Sequence, residues 1–158
     1  AGLRRRAKRT RRGGAPLWGV PDVSDLGFTH IALICSNADK TIEFYRRFAD
    51  MTVIHNRIDP NGRVFWLSDL KRAFAIVFIE RANIEAPLGP LGHLGVCLKS
   101  KDDVDNRIKA AQELGYKVSE PEESGPPVGY WAFVADPDGH TLELSYGQEV
   151  QLHVEKAQ

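Results

Sequence analysis

The sequence predicts an α+β fold built from two tandem βαβββ modules, whose mixed sheets pair around a shared cavity. The order of one strand, one helix and three strands occurs twice along the chain. The two copies also match in detail, since His30 and His93 hold the same place in their opening strands and RVFWLSD (63–69) is answered by YWAFVAD (130–136). A length of 158 residues suits one domain assembled from two such halves.

The first module is predicted over residues 27–82. FTHIALIC (28–35) alternates as a half-buried strand does. A helix follows, and Ser36 with Asp39 form a capping box that predicts its start. Three further strands are predicted at 51–58, 63–69 and 73–80, the last of them apolar enough to be buried.

The second module is predicted over residues 92–147, after a Pro/Gly-rich linker at 83–91. Ser100 and Asp103 form the second capping box, and Gly115 is a helix stop. The strands of this module are predicted at 92–99, 117–124, 130–136 and 140–146.

The ends of the chain fall outside the modules, as a basic arm and linker at 1–26 and a tail at 148–158. Residues 4–12 (RRRAKRTRR) hold seven of the 21 basic residues, so the rest of the chain has 14 basic against 21 acidic residues. This basic segment has no aromatic residue for base stacking and no amphipathic pattern, which argues against nucleic acid as a partner.

Composition excludes several classes of protein. Hydrophobic residues at 42% and charged residues at 27% are typical of an ordinary globular chain, and no apolar run is long enough for a membrane span. Cys35 and Cys97 form no Cys-x-x-Cys pair. We therefore expect a reduced, cytoplasmic protein with neither a disulfide framework nor a membrane partner.

Three polar residues stand alone in apolar strands: His30, His93 and Glu143. In DPDGHTLEL (136–144), Glu143 alternates with leucines that face the other way. A single histidine of this kind is more often a hydrogen-bonded core residue, but three at related positions of a repeat point to one site. Two imidazoles and one carboxylate suit a divalent metal such as Fe, Mn, Ni, Zn or Mg, with open positions for substrate.

With its histidines in FTHIAL and GHLGV and its glutamate in DPDGHTLEL, the chain resembles the vicinal oxygen chelate superfamily over residues 27–147. This superfamily includes glyoxalase I, bleomycin and fosfomycin resistance proteins, methylmalonyl-CoA epimerase and extradiol dioxygenases. The resemblance implies paired modules, a metal held by His30, His93 and Glu143, and a small-molecule substrate that binds the metal through adjacent oxygens.

The resemblance also exposes a missing ligand. Glyoxalase I and the epimerase take a fourth metal ligand from the last strand of the first half. Aligning the halves through Asp69 and Asp136 puts Ile76 opposite Glu143, and a short gap would shift this to Phe78. Both positions are apolar, so a glyoxalase assignment lacks its usual pair of base and ligand.

Three reaction or binding classes stay open. A lyase or isomerase of glyoxalase type needs a general base, for which Glu80, at the end of its strand, is a weak candidate. An extradiol-type ring-cleaving dioxygenase would need less base chemistry, although Phe133 stands where that group generally has a tyrosine. A metal-free, bleomycin-resistance-like ligand-binding protein is the alternative of a different class.

Assembly and the remaining histidines complete the expectations. Modules of this kind leave sheet edges and flat faces that favour a homodimer. The cavity closes within one chain, or two chains exchange halves so that His30 of one meets His93 and Glu143 of the other. His140 has the strand parity that points away from Glu143 and is expected to be structural, while His55 and His153 are expected at the surface.

Overall fold

The computed structural model describes residues 27–89 and 91–157, and the predicted basic arm lies outside them. In this part of the chain the order of one strand, one helix and three strands occurs twice, and a helix follows. The elements are β1 (His30–Cys35), α1 (Ala38–Ala49), β2 (Thr52–Asp59), β3 (Gly62–Ser68), β4 (Ala75–Glu80), β5 (Leu94–Cys97), α2 (Lys101–Glu113), β6 (Glu122–Glu123), β7 (Tyr130–Ala135), β8 (Thr141–Tyr146) and α3 (Val150–Ala157).

Each repeat forms one four-stranded mixed sheet. The first sheet has the order β1-β4-β3-β2 and the second has β5-β8-β7-β6, so corresponding strands take corresponding places. In each sheet the opening strand pairs parallel with the last strand, and the other pairs are antiparallel. The predicted α+β fold of two tandem modules is confirmed.

The helices begin where short polar side chains accept the first backbone N–H groups. Ser100 caps α2 as predicted, since its hydroxyl accepts the N–H of Asp103 at 3.1 Å. The predicted start of α1 is wrong by one residue, because Asn37 rather than Ser36 is the cap. The Asn37 side chain accepts the N–H of Lys40 at 3.0 Å.

The helix sides of both sheets meet in one hydrophobic core. The rings of Phe44 and Phe48 in α1 lie 5.1 and 5.7 Å from the ring of Tyr116, which follows α2. Tyr45 packs on Phe78 of β4 at 5.0 Å. The second repeat contributes its own buried residues to the same cluster: Val104, Ile108, Ala111, Ala132, Val134, Leu142 and Leu144.

The opposite face of each sheet points away from this core, because strand residues alternate between the two faces. We call this face of the first sheet the first outer face; it carries His30, Ala32, Ile34, Trp66 and Val77. In the second sheet the second outer face carries Gly95, Phe133, Thr141 and Glu143, with His93 directly before β5. As the described residues form them, the two outer faces of one chain therefore lie on the far sides of a shared core.

His140 ties the two repeats together. Its ring is 3% exposed, and its Nε2 donates to the backbone carbonyl of Ile34 at 2.8 Å. Its Nδ1 accepts the N–H of Leu88, in the connection between the repeats, at 2.9 Å. Since Nδ1 accepts, the ring is the neutral tautomer with its hydrogen on Nε2. The structural role expected for His140 agrees with these contacts.

Asp136 strengthens the same junction. One carboxylate oxygen accepts the hydroxyl hydrogen of Tyr45 at 3.2 Å, and the other accepts the N–H groups of Asp138 and His140 at 2.9 and 2.8 Å. Burial raises the pKa of the Asp136 carboxyl, because removal from water disfavours its charged form. Hydrogen bonds of the buried Asp136 and His140 thus connect the turn before β8 to the first repeat.

Two predicted elements differ from the structure. The strand expected at 117–124 is reduced to β6, although Val118 still forms a bridge with Val134 of β7. The predicted tail at 148–158 contains the helix α3. Among the described residues, no helix combines the length and apolar character that a membrane crossing requires.

Candidate functional site

Glu143 and His93 come together on the second outer face. Leu142 and Leu144 are fully buried in the core, so Glu143 between them points outward. Gly95 of β5 pairs with Glu143 of β8, which places His93, two residues earlier, beside the carboxylate. The Nε2 of His93 lies 3.3 Å from Oε2 of Glu143.

The tautomer of His93 decides what its contact with Glu143 can hold. Its Nδ1 lies 3.1 Å from the carbonyl oxygen of Leu91, which can only accept, so Nδ1 carries a hydrogen. A neutral ring then directs the lone pair of Nε2 at the carboxylate oxygen of Glu143, and two acceptors facing each other repel. A proton on Nε2 or a metal ion beside both atoms relieves that repulsion. The donor set therefore fits a divalent metal.

Gln148 holds the other carboxylate oxygen of Glu143. The amide Nε2 of Gln148 donates to Oε1 at 2.5 Å, while Oε2 is directed toward His93. Gly147, with a φ of 80°, turns the chain back after β8 and so brings the amide over the strand. Glu143 is only 6% exposed, and a buried carboxylate needs such partners. Sequence reasoning missed Gln148; the glycine directly after the last strand was the available signal.

Aromatic rings lie beside the pair. The ring of Phe133 lies 5.2 Å from that of His93 and 4.8 Å from that of Trp131. Beside them is a cavity of about 430 Å³. Its walls are formed by Pro87, Gly89, Lys117, Val118, Ser119, Phe133, Ala135, Gly139 and Thr141.

His30 lies apart from the other two predicted ligands. It is exposed on the first outer face, and its Nδ1 is 3.0 Å from the hydroxyl oxygen of Thr29. Residues 27–89 and 91–157 of one chain contain no cluster of three or more histidine, cysteine, aspartate or glutamate side chains that could hold a metal. A single chain therefore brings His93 and Glu143 together but does not add His30 to them.

The register of the sheets corrects the comparison of the two halves. In the first sheet Ala32 pairs with Val77, just as Gly95 pairs with Glu143 in the second. Since Ala32 and Gly95 each lie two residues after the histidine of their half, Val77 is the equivalent of Glu143. The expected equivalents, Ile76 and Phe78, instead belong to the core. The first half still offers no carboxylate at this position.

Glu80 has the parity of the core residues and lies on the helix side of its sheet. One carboxylate oxygen accepts the N–H of Ala38, the first residue of α1, at 2.9 Å, and the other lies 3.4 Å from the N–H of Arg63. These contacts stabilise the start of the helix, where negative charge is favoured. The structure therefore places Glu80 away from both outer faces, and we assign it no part as a base.

The remaining histidines and cysteines lie outside the His93–Glu143 pair. His55 packs on Trp66 with ring centroids 4.9 Å apart, and His153 lies 3.9 Å from Glu149. Cys35 is buried, which raises the pKa of its thiol to about 12 and makes it a poor nucleophile. Cys97 is exposed.

Comparison with known proteins identifies the family. The family model of the Glyoxalase/Bleomycin resistance protein/Dioxygenase superfamily matches residues 27–144. An uncharacterized protein of Pseudomonas aeruginosa is 31% identical over 125 residues, covering 76% of this chain and 88% of that protein. A Brassica oleracea var. gemmifera protein named "Putative lactoylglutathione lyase" is 29% identical over 132 residues; the match covers 74% of this chain but 43% of the longer plant protein.

Solved structures share the fold. A mutant of the fosfomycin resistance protein FosX from Listeria monocytogenes, complexed with Mn(II) and 1S,2S-dihydroxypropylphosphonic acid, superposes with a TM-score of 0.64. The identity is 16%, and the match covers 85% of this chain and 99% of that one. The family match over residues 27–144 and the 31% identical relative show that the chain belongs to the Glyoxalase/Bleomycin resistance protein/Dioxygenase superfamily.

Proposed function

We propose that the protein is a divalent-metal-dependent enzyme that acts on a small molecule with vicinal oxygens, and that two chains build each active site. His30 of one chain would join His93 and Glu143 of the other. The bound metal would act as a Lewis acid on the substrate oxygens. Membership of the superfamily makes this chemistry available but does not select the reaction.

The observation that carries the proposal is the contact between His93 Nε2 and Glu143 Oε2 at 3.3 Å. The hydrogen on Nδ1 is committed to the Leu91 carbonyl, so Nε2 offers its lone pair to a cation. Glu143 offers Oε2, because Gln148 holds Oε1. A metal-binding histidine characteristically donates its second ring hydrogen to a carbonyl or carboxylate, which is the arrangement found here.

The need for a second chain follows from the position of His30. It projects from the first outer face, which lies across the shared core from the second outer face. That first outer face also exposes apolar side chains, with Ile34 at 43% and Trp66 at 38% exposure. Covering them with the second outer face of another chain would bury apolar surface and add His30 to the pair at the same time.

The residues have separable tasks in this proposal. His30, His93 and Glu143 would bind the metal, and Gln148 would fix the rotation of the Glu143 carboxylate. Two neutral imidazoles and one carboxylate leave a divalent ion with a net positive charge, which favours a chelating anionic substrate. The rings of Phe133 and Trp131 would line the substrate side of the site.

A complementation experiment tests both the metal site and its division between chains. Differently tagged His30→Ala and His93→Ala chains are co-expressed, and homodimers and heterodimers are separated through the two tags. In the heterodimer one site carries both substitutions and the other carries neither. We expect two metal ions per wild-type dimer, almost none in either variant homodimer, and one in the heterodimer.

His55→Ala, a histidine of the first sheet outside the triad, is the matched control and should keep full metal content. A heterodimer as empty as its parents would contradict the two-chain site, because a site within one chain cannot be restored by mixing. Full metal content in both variant homodimers would contradict the metal assignment itself.

A ring-cleaving dioxygenase is the second candidate, and the donor set favours it. Two histidines and one carboxylate with open positions form the ligand set of non-haem Fe(II) oxygenases. Oxygen uptake by the Fe(II)-loaded protein with a panel of catechols is the direct assay. Uptake that depends on His93 would select this reaction, whereas its absence alongside stoichiometric iron would leave the lyase and isomerase class.

A further inference from the structure

The cavity beside the His93–Glu143 pair contains one charged residue among its described walls, Lys117. The other lining residues are apolar or small, apart from the hydroxyl groups of Ser119 and Thr141. Phe133 belongs both to this cavity and to the aromatic contact with His93. The cavity and the surroundings of the proposed metal site therefore share Phe133.

Strand register directs the Lys117 side chain to the second outer face. The N–H of Ala135 donates to the Lys117 carbonyl at 2.8 Å, and Val118 forms a bridge with Val134. Val134 is fully buried in the core, so Val118 shares the core side. Lys117, opposite Ala135, then lies on the outward side.

Lys117 and His93 stand at two ends of one row across the sheet. Lys117 lies opposite Ala135, Ala135 pairs with Thr141, and the Leu94–Leu142 pair extends this row to His93. Three strand spacings make about 14 Å between the two end Cα atoms. Between them Ala135 has a small side chain that lines the cavity, whereas the backbone of Gly89 packs against the Thr141 hydroxyl, so a molecule that reaches both end side chains would pass over Ala135 and Phe133.

The Lys117 ammonium is available as an anchor. In the described part of the chain it has no carboxylate partner, whereas the neighbouring Ser119 hydroxyl is already used. Ser119 accepts the N–H of Phe133 at 2.9 Å and donates to the carbonyl of Glu120 at 3.1 Å. A cation facing an apolar cavity favours an anionic group on a ligand whose body fills that cavity.

We propose that the substrate is a small organic acid with two polar ends. One end carries the vicinal oxygens that meet the metal, and the other carries a carboxylate or phosphonate that pairs with Lys117. The apolar middle lies over Ala135 and Phe133. This inference rests on the proposed function, since it takes the metal at His93 and Glu143 as the other anchor.

The test uses 2-hydroxy dicarboxylic acids of increasing length, from about five to eight carbons, to sample the row between the anchors. Each acid is compared with the monoacid in which the distal carboxylate is replaced by a methyl group. Dissociation constants are measured by calorimetry on metal-loaded protein of known metal content. We expect at least one dicarboxylate to bind about tenfold more tightly than its monoacid.

Three variants assign the preference to Lys117. Lys117→Met should abolish it while leaving the affinity for the monoacid and the metal content unchanged. Lys117→Arg should retain it, because the charge remains. Lys109→Met, which removes an exposed lysine from α2, is the matched control and should behave as wild type.

The outcomes separate this inference from the proposal beneath it. Metal-loaded protein that shows no dicarboxylate preference at any length, or a preference that survives Lys117→Met, overturns the inference and leaves the metal site standing. Protein that binds no metal overturns the proposed function, and the inference fails with it.

Discussion

The two outer faces carry the same scaffold but unequal chemistry. Both begin with a histidine at the start of the parallel strand pair, and in both the residue two places after this histidine pairs with a position at the centre of the neighbouring strand. In the second half that position is Glu143, held by Gln148 and next to His93. In the first half it is Val77. Duplication has kept the position, while only one copy provides the carboxylate, so one face supplies a single ligand and the other supplies two.

The largest expected difference between the two faces comes from truncating the equivalent positions Glu143 and Val77. Glu143→Ala should lower metal affinity by about 100-fold or more, because it removes the only anionic ligand of the proposed set. Val77→Ala should leave metal affinity within about twofold, since an aliphatic side chain donates nothing to a metal. Competition with a chromophoric chelator measures both. Equal effects from the two substitutions would remove the asymmetry.

Substituting Gln148 tests whether its hydrogen bond to Glu143 contributes to metal affinity on the second outer face. Gln148→Leu should weaken metal binding by about tenfold, because the Glu143 carboxylate loses the amide that fixes its orientation. Gln151→Leu, which alters a nearby residue that bonds within α3, is the matched control. The same chelator competition is the measurement. Unchanged affinity in the Gln148 variant would show that the hydrogen bond has no role in metal binding.

Glu80 tests the helix side of the first sheet. Glu80→Ala should lower the free energy of unfolding by about 1 kcal/mol, because the first N–H of α1 loses its acceptor. Metal content should not change, since Glu80 lies on neither outer face. Denaturant unfolding and elemental analysis give the two readouts. Loss of metal with an unchanged free energy of unfolding would instead indicate that Glu80 takes part in the metal site.

Substituting Asp136 should give the smallest effect, which is a change with pH in the free energy of unfolding relative to wild type. Burial raises the pKa of its carboxyl in the folded state, so the folded protein holds this proton to higher pH than the unfolded chain does. The stability of wild type relative to Asp136→Asn should therefore fall as pH rises from the ordinary aspartate pKa through the raised folded value. Parallel unfolding curves at each pH measure the difference. A relative stability that rises with pH would contradict the direction of the shift.

Much of the scaffold was readable from the sequence because it depends on local patterns. Alternation and helical spacing predicted the strands and both main helices, and Ser100 marked its helix start as expected. The register of β4 was not readable. Asp69 lies six residues before Ala75, whereas Asp136 lies five residues before Thr141, the corresponding position. One extra residue in a connection exchanges the two faces of a strand, which is why Ile76 and Phe78 were mistaken for outward positions.

In the candidate site too, features that depend on local sequence patterns were predicted, and features that depend on tertiary contacts were not. His93 and Glu143 were predicted from their lone polar character, and the parallel pairing of β5 with β8 brings them together. Gln148 was not predicted as a site residue because its contact depends on a turn at Gly147 rather than on any periodicity. The place of His30 depends on which surfaces two chains present to each other, and residue patterns in one chain do not encode that directly.

The shared core has a consequence for how the molecule folds. Phe44 and Phe48 of the first repeat rest on Tyr116 of the second, and the buried side chains of both repeats form one cluster. Neither half can close its own interior, so the two halves should melt together as one cooperative unit. The internal repeat is therefore not a division into independent folding units, and a half expressed by itself would expose an apolar surface with a strong tendency to aggregate.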